Sequence, residues 1–238
     1  YTFATMLLNT LPKKPEDEAS QYVDFVSTNT YGNHAKALDH IHALYPEKPI
    51  LISEWGVRAD NGADDQPGLR NFSEHDFGQA EVGQAKHVSD IATEIRKRPY
   101  VIGASWWTYN DYQSRYHGTN SNGYRPWGIV RPDRSLRPAY YTYQKEMSPL
   151  IIEKVGFKTG DQGEHELTLK VTARDDFPSY AIEGYYIPVS GKHVHIPNLN
   201  PGESKEITVQ VRGFEKAITI QIIKPTGFKT TEATFELK

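Results

Sequence analysis

Apolar runs of strand length alternate with helix-length stretches through the first 148 residues, and this alternation limits the fold more than any other feature. β-like segments run from Tyr1-Thr-Phe-Ala-Thr5 through Leu8, then recur at Val23–Asn29, Pro49–Ser53 and Tyr100–Trp107. After the first, Pro12, Pro15 and Glu16-Asp17-Glu18 read as a loop leading into a short helix. A helix over Ala35–Tyr45 is expected from Ala35, Leu38, Ile41 and Leu44 at three-residue spacing, and one over Gln79–Lys97 from Val82, Ala85, Val88, Ile91, Ala92 and Ile95 on one face. Pro46 and Pro99 stop these helices, and Pro138 suits the first turn of a last one ending at Glu146. The order β, α, β, α, β, α, β, α specifies a parallel sheet with right-handed crossovers. Four such units amount to half of a (β/α)8 barrel.

After Pro149 the texture changes. Short alternating runs at Glu166–Val171, Ala181–Tyr186, Glu206–Val211, Ala217–Ile222 and Thr231–Leu237 are separated by Gly, Pro, Asn and Asp turns, with Pro197–Glu203 reading as a hairpin lead. That is the pattern of an immunoglobulin-like β-sandwich of about seven strands. Two domains are expected, 1–148 α/β and 149–238 all-β.

Within the first domain, Ile50, Leu51 and Ile52 form a continuous apolar run, as in a parallel strand buried on both faces. The run stops at Ser53-Glu54-Trp55-Gly56, where a buried strand opens into a loop. The C-terminal ends of parallel barrel strands are where catalytic groups collect. Capping of a neighbouring helix, or pairing with Arg58, are the competing roles for Glu54. Residues 57–78 are long for a βα connection and read as a functional loop. Aromatic residues make up 12% of the chain, with 15 Tyr and 4 Trp, and Trp106, Trp107 and Trp127 fall near expected loops. Their flat apolar faces with polar edges match those of sugars, although ordinary core packing uses the same residues.

Charge and composition exclude other chemistries. A net charge of −3 with interspersed signs leaves no electrostatic footprint for nucleic acid or anionic membrane. No apolar run approaches the roughly 20 residues of a membrane-spanning helix. The absence of Cys excludes disulfides, thiol nucleophiles and thiolate zinc sites, and is compatible with export. No phosphate-binding Gly-rich loop, Gly-x-Ser-x-Gly elbow or zinc-protease helix occurs. His193-x-His195 lacks a third ligand and reads as surface histidines, while His40 and His42 lie about 200° apart on a helix.

These motifs together resemble a family. Ile52-Ser-Glu54-Trp-Gly56, preceded by Asn29-x-Tyr31 and followed by Trp107-Thr-Tyr-Asn-Asp-Tyr112, resembles the second half of the catalytic barrel of glycoside hydrolase family 2, the β-galactosidase, β-glucuronidase and β-mannosidase group. Gly128-Ile-Val-Arg-Pro-Asp-Arg-Ser-Leu-Arg-Pro138 is similar to the stretch after that family's last barrel strand. The resemblance covers about residues 1 to 148. It implies a retaining β-glycosidase that needs no cofactor or metal and acts on carbohydrate, with Glu54 as nucleophile on the seventh strand and Tyr31 on the sixth donating a hydrogen bond to it. It further implies that Trp107 on the eighth strand lines the sugar subsite, with Asn29, Asn110, Asp111, Trp55, Trp127 and Arg125 as further substrate-binding candidates. The sequence departs from the family twice. The family's acid/base is a Glu following Asn, and no Asn-Glu pair occurs here. It is expected upstream of Tyr1, on a barrel half that this chain or another supplies. Tyr124-Arg-Pro-Trp-Gly128 also stands where β-glucuronidases carry Asn-x-Lys, which favours a β-galactosidase-like substrate, with Arg125 available to an anionic sugar. The alternative is a non-catalytic carbohydrate-binding or scaffolding fragment.

Overall fold

The computed structural model describes residues 1–7, 11–17, 19–60, 74–115, 119, 123–213 and 216–237. They fall into two compact units, Tyr1–Glu146 and Met147–Lys238. Most of the expected loop at 57–78 lies outside the described residues, as does Gly118.

In the first unit β1 (Phe3–Leu7), β2 (Phe25–Thr30), β3 (Ile50–Trp55) and β4 (Val101–Trp106) form one parallel sheet in chain order. α1 (His34–Leu44) connects β2 to β3, α2 (Glu74–Arg96) connects β3 to β4, and α3 (Pro138–Glu146) closes the unit. A hairpin of β5 (Tyr112–Gln113) and β6 (Tyr124–Arg125) lies between β4 and α3. In place of the short helix expected between β1 and β2 there are two 3-10 turns, Pro15–Asp17 and Ala19–Tyr22, with Glu18 outside the described residues.

In both crossover helices the buried face keeps half or more of the expected apolar positions and adds residues that the apolar pattern does not mark. In α1 the buried positions are His34, Ala37, Leu38 and Ile41, a helical stripe at i, i+3, i+4 and i+7. Ala35 and Leu44 lie at its margin, half-buried. In α2 Val82 is 58% exposed, and the buried stripe runs through Glu81, Gln84, Val88, Ile91, Ala92 and Ile95. Two polar residues, Glu81 and Gln84, lie midway along that helix, where buried cations and carbonyls face them, as described below.

The second unit has seven strands among its described residues: β7 (Leu150–Thr159), β8 (Glu164–Ala173), β9 (Tyr186–Val189), β10 (Lys192–His195), β11 (Ser204–Arg212), β12 (Ala217–Ile223) and β13 (Lys229–Glu236). They form two antiparallel sheets, β11-β8-β7 and β10-β9-β12-β13. Leu167, Leu169 and Val171 from one sheet share a core with Ile218, Ile220 and Ile222 from the other. Each fully buried Leu, Ile or Val contributes ~1.5–3 kcal/mol relative to exposure. The strand expected at Ala181–Tyr186 is absent: Ile182 makes only an isolated bridge to Leu199, and Gly184, at φ 71°, turns the chain before β9. His193 and His195 are exposed, and both rings lie near that of Tyr186, at 4.3 and 6.3 Å.

Candidate functional site

The position of Glu54 follows from a bulge. Between Ile52 and Trp55, β3 carries one residue more than either neighbour: Thr28 and Asn29 of β2 pair with Ile52 and Glu54, and Ala104 and Trp106 of β4 with Ile52 and Trp55. An extra residue shifts the two-residue alternation of side chains by one. Ile50, Ile52 and Trp55 therefore fall on the same buried face, each with 0% exposure, and Trp55 packs against His87 of α2 and Tyr143 of α3. Glu54, which strict alternation would place beside Ile52, is half-buried on the opposite face.

There the Tyr31 hydroxyl, one residue beyond β2, donates to Glu54 Oε2 at 2.8 Å. Burial, and then this hydrogen bond, push the Tyr31 phenol above its ordinary value, so it remains a protonated donor. Glu54 Oε1 has no hydrogen-bond partner among the described residues. Arg58 instead forms a bidentate pair with Asp60 (2.8 and 2.6 Å), which removes the competing pairing with Glu54. Asn29, in register with Glu54, accepts from Ser53 Oγ at 2.7 Å through its side-chain oxygen.

Aromatic rings extend the site from Tyr31. The Trp127 ring meets it edge-on at 5.4 Å. The Arg125 guanidinium lies 5.9 Å from the Tyr112 ring and 6.0 Å from the Trp127 ring, and its Nη1 donates to Tyr112 Oη at 3.2 Å. Trp107, 37% exposed, meets Tyr112 at 5.9 Å. Trp107 N donates to Trp55 O at 2.8 Å, and a Cβ on Gly56 would lie 2.6 Å from the Trp107 carbonyl oxygen. The loop after β3 can pass that close to the end of β4 only with glycine. Glu54, Tyr31, Trp127, Arg125, Tyr112 and Trp107 thus gather at the C-terminal end of the sheet.

Two expected substrate contacts are corrected. Trp55 is a core residue, its indole 4.8 Å from that of Trp106 and without exposed surface. Asp111 is buried, and both its oxygens accept from Arg137 at 2.7 and 2.9 Å. Asn110, half-buried beside it, donates its side-chain amide to the Asp111 carbonyl at 2.7 Å.

Arg137 anchors a network that apolar patterning does not reveal. It also donates to Gly128 O at 2.7 Å and to Glu81 Oε1 at 2.9 Å. Glu81 in turn accepts from Arg131, and Gln84 donates to Val57 O and Gly128 O. Gly128 N donates to Asp111 Oδ1 at 2.9 Å, and a Cβ on Gly128 would lie 2.3 Å from Asp111 N. These bonds lock the loop of Trp127 to the loop of Asn110 and Asp111. The available sequence signal was the pair of polar residues on the sheet-facing side of α2 together with the arginines of 131–137. Among the described residues no three His, Cys, Asp or Glu side chains converge as a metal site, and no helix is long and apolar enough to cross a membrane.

No family model matches the sequence, and no curated protein matches it. Among solved structures the chain is similar to an FMN-binding β-glucuronidase from Facaelibacterium prausnitzii L2-6, at 18% identity and TM-score 0.47, over 99% of this chain and 35% of that one. It is also similar to a β-D-glucuronidase of Dictyoglomus thermophilum (21%, TM-score 0.43, 59% of this chain and 25% of that one) and to Bacteroides uniformis β-glucuronidase 2 (16%, TM-score 0.42, 99% and 28%). The chain spans about a third or less of the length of these structures. With every one of these scores below 0.5, no residue role is carried across from them.

Proposed function

We propose that this chain is the C-terminal part of a retaining β-glycosidase, in which residues 1–148 form strands five to eight of a (β/α)8 barrel and residues 149–238 an immunoglobulin-like sandwich. Glu54 is the nucleophile. The observation that carries this reading is the Tyr31 hydroxyl on Glu54 Oε2, 2.8 Å away, at the C-terminal end of a parallel strand. A phenol donor on one oxygen orients the carboxylate and favours its charged form, leaving Oε1 to attack the anomeric carbon and form a glycosyl ester. Trp107 and Trp127 supply apolar faces for the sugar ring, and the Asn29 amide a donor for a hydroxyl. The acid/base carboxyl comes from outside the described residues. Trp127 stands where β-glucuronidases carry Asn-x-Lys and its indole offers no cation to a sugar carboxylate, so a neutral β-galactoside is favoured over a β-glucuronide, with Arg125, whose Nη1 donates to the neutral Tyr112 hydroxyl, a nearby cation available to an anionic sugar.

The test uses the full-length protein that carries this chain. A 2-deoxy-2-fluoro-β-galactosyl fluoride is expected to label Glu54 and no other residue, faster than the corresponding glucuronyl fluoride, and Glu54→Gln to lower turnover by several orders of magnitude with the fold intact. Labelling elsewhere, or near-normal turnover in the variant, overturns the assignment in favour of a carbohydrate-binding or scaffolding role. Faster labelling by the glucuronyl reagent overturns the specificity alone.

A further inference from the structure

The turn that carries Tyr31 has little of its own to hold it. Gly32 takes a left-handed conformation at φ 88°, and nothing lies within 4 Å of the place a Cβ would occupy there. Asn33, the N-cap of α1, makes no side-chain capping bond. A side-chain bond across the turn ties the end of β2 to the first turn of α1 instead: His34 Nδ1 lies 2.8 Å from Thr30 Oγ1. Thr30 is fully buried and His34 is 4% exposed, so water does not compete for this bond. His34 Nε2 is buried without a hydrogen-bond partner. A proton on Nδ1 suits the ring, because it donates to Thr30 and leaves a lone pair at Nε2 in place of an unpaired N–H. Burial, with a smaller contribution from His87, lowers His34 to about 4, which keeps the ring neutral near pH 7.

On its other side the His34 ring meets that of His87 at 5.5 Å, and His87 lies 6.2 Å from Trp55. Trp55 follows Glu54 in β3, and Tyr31 follows Thr30 at the end of β2. His34 therefore stands on the helix side of the sheet, tied to Thr30 directly and to Trp55 through His87, next to both partners of the Tyr31–Glu54 bond. We propose that His34 is a positioning residue: by holding Thr30 it sets the turn so that the Tyr31 hydroxyl stays on Glu54 Oε2, 2.8 Å away. Its effect on a reaction rests on the reading of Glu54 as nucleophile, whereas its hold on the Tyr31 hydroxyl does not.

Both parts can be measured on the 238-residue chain made with tyrosine enriched in carbon-13 at Cζ. The Tyr31 Cζ resonance, assigned by its absence from Tyr31→Phe, reports donation to Glu54 and is expected to move in Glu54→Gln. Thr30→Val, which removes the hydroxyl with little change of shape, should move it in the same direction, as should His34→Ala. His34→Asn should leave it in place, because the Asn amide lies where Nδ1 does, and His34→Gln, whose amide reaches the place of Nε2, should not. In the same samples, glycosylation of Glu54 by a 2,4-dinitrophenyl 2-deoxy-2-fluoroglycoside should slow about two- to ten-fold in Thr30→Val at an unchanged half-saturating concentration, the effect of one neutral hydrogen bond. His34→Asn should label at the wild-type rate, and in a Tyr31→Phe background Thr30→Val should slow labelling no further. An unmoved Tyr31 resonance in Thr30→Val, a His34→Asn that behaves like His34→Ala, or a Thr30→Val loss that persists without the Tyr31 hydroxyl would each overturn the proposal. If wild-type Glu54 is not labelled at all, the nucleophile reading fails, and the resonance alone decides whether His34 positions Tyr31.

Discussion

A carboxylate that attacks carbon must remain ionised and point one oxygen at its target, and on the proposed reading of Glu54 as nucleophile both demands rest on the single phenol of Tyr31. Removing the Tyr31 hydroxyl should therefore cost activity without costing the fold. A hydrogen bond to a charged group is worth ~1.5–3 kcal/mol, so Tyr31→Phe in the full-length protein is expected to lower kcat roughly 10–100-fold. Burial, and then Glu54, hold the phenol well above its ordinary range, so Tyr31 does not titrate across the working pH. The alkaline limb of the pH–rate profile should accordingly be the same in wild type and Tyr31→Phe. Unchanged kcat in the variant would show that the 2.8 Å contact plays no part in orienting Glu54, and loss of the alkaline limb would show instead that the Tyr31 phenol titrates in the working range.

The elements were legible wherever burial and apolarity coincide. β3, β4 and the apolar half of α2 could be read directly, because Ile50, Ile52, Val88 and Ile95 are both hydrophobic and fully buried. Legibility failed where charge is buried. α2 hides Glu81 and Gln84 and exposes Val82 because Arg131, Arg137 and two loop carbonyls supply polar partners. The bulge at Ser53–Glu54 was likewise invisible, since a one-residue register shift depends on the pairing of neighbours, and it is what sent Trp55 into the core. Arg137→Ala would leave Asp111 without its bidentate partner and Glu81 with one cation fewer. Breaking a buried pair in this way costs about 3–5 kcal/mol, which urea denaturation should register, with Arg137→Lys recovering only part because an ammonium cannot span both Asp111 oxygens. α1 and α2 also bring together two histidines, the buried His34 and the half-buried His87, with rings 5.5 Å apart. Burial, with a smaller contribution from His87, lowers His34 to about 4, and burial lowers His87 as well. His34 titrates near 6.5 once unfolded, so between 6.5 and 4 the unfolded chain binds more protons. The stability it contributes is complete above pH 6.5 and is lost as pH falls towards 4, a loss on the order of 2–3 kcal/mol. Denaturation at pH 7, 5.5 and 4.5 should show this slope, and His34→Gln should reduce it; equal slopes would remove His34 as its source.

For the molecule as a whole, the decisive quantity is the number of carboxyl groups free to react. Retaining hydrolysis needs two about 5 Å apart, one to attack the anomeric carbon and one to protonate the departing oxygen. Around the C-terminal end of the sheet the described carboxylates are Glu54, Asp60, Asp111 and Glu81. Asp60 is closed by Arg58, Asp111 by Arg137, and Glu81 by Arg131 and Arg137, so none of the three can deliver a proton to a substrate. Of these described carboxylates, Glu54 alone retains a free oxygen. General acid assistance typically contributes ~10²–10⁴-fold, and leaving groups that depart as stable anions do not require it. The purified 238-residue chain is therefore expected to leave a β-linked disaccharide intact, yet to be glycosylated at Glu54 by a 2,4-dinitrophenyl 2-deoxy-2-fluoroglycoside, as read by intact mass and peptide mapping. Adding the polypeptide that supplies an acid/base carboxyl should restore disaccharide cleavage, and Glu54→Gln in the mixture should remove it again. Efficient cleavage of the disaccharide by the 238-residue chain alone would mean that a second carboxyl lies within it, and would overturn the assignment of a single reactive carboxylate.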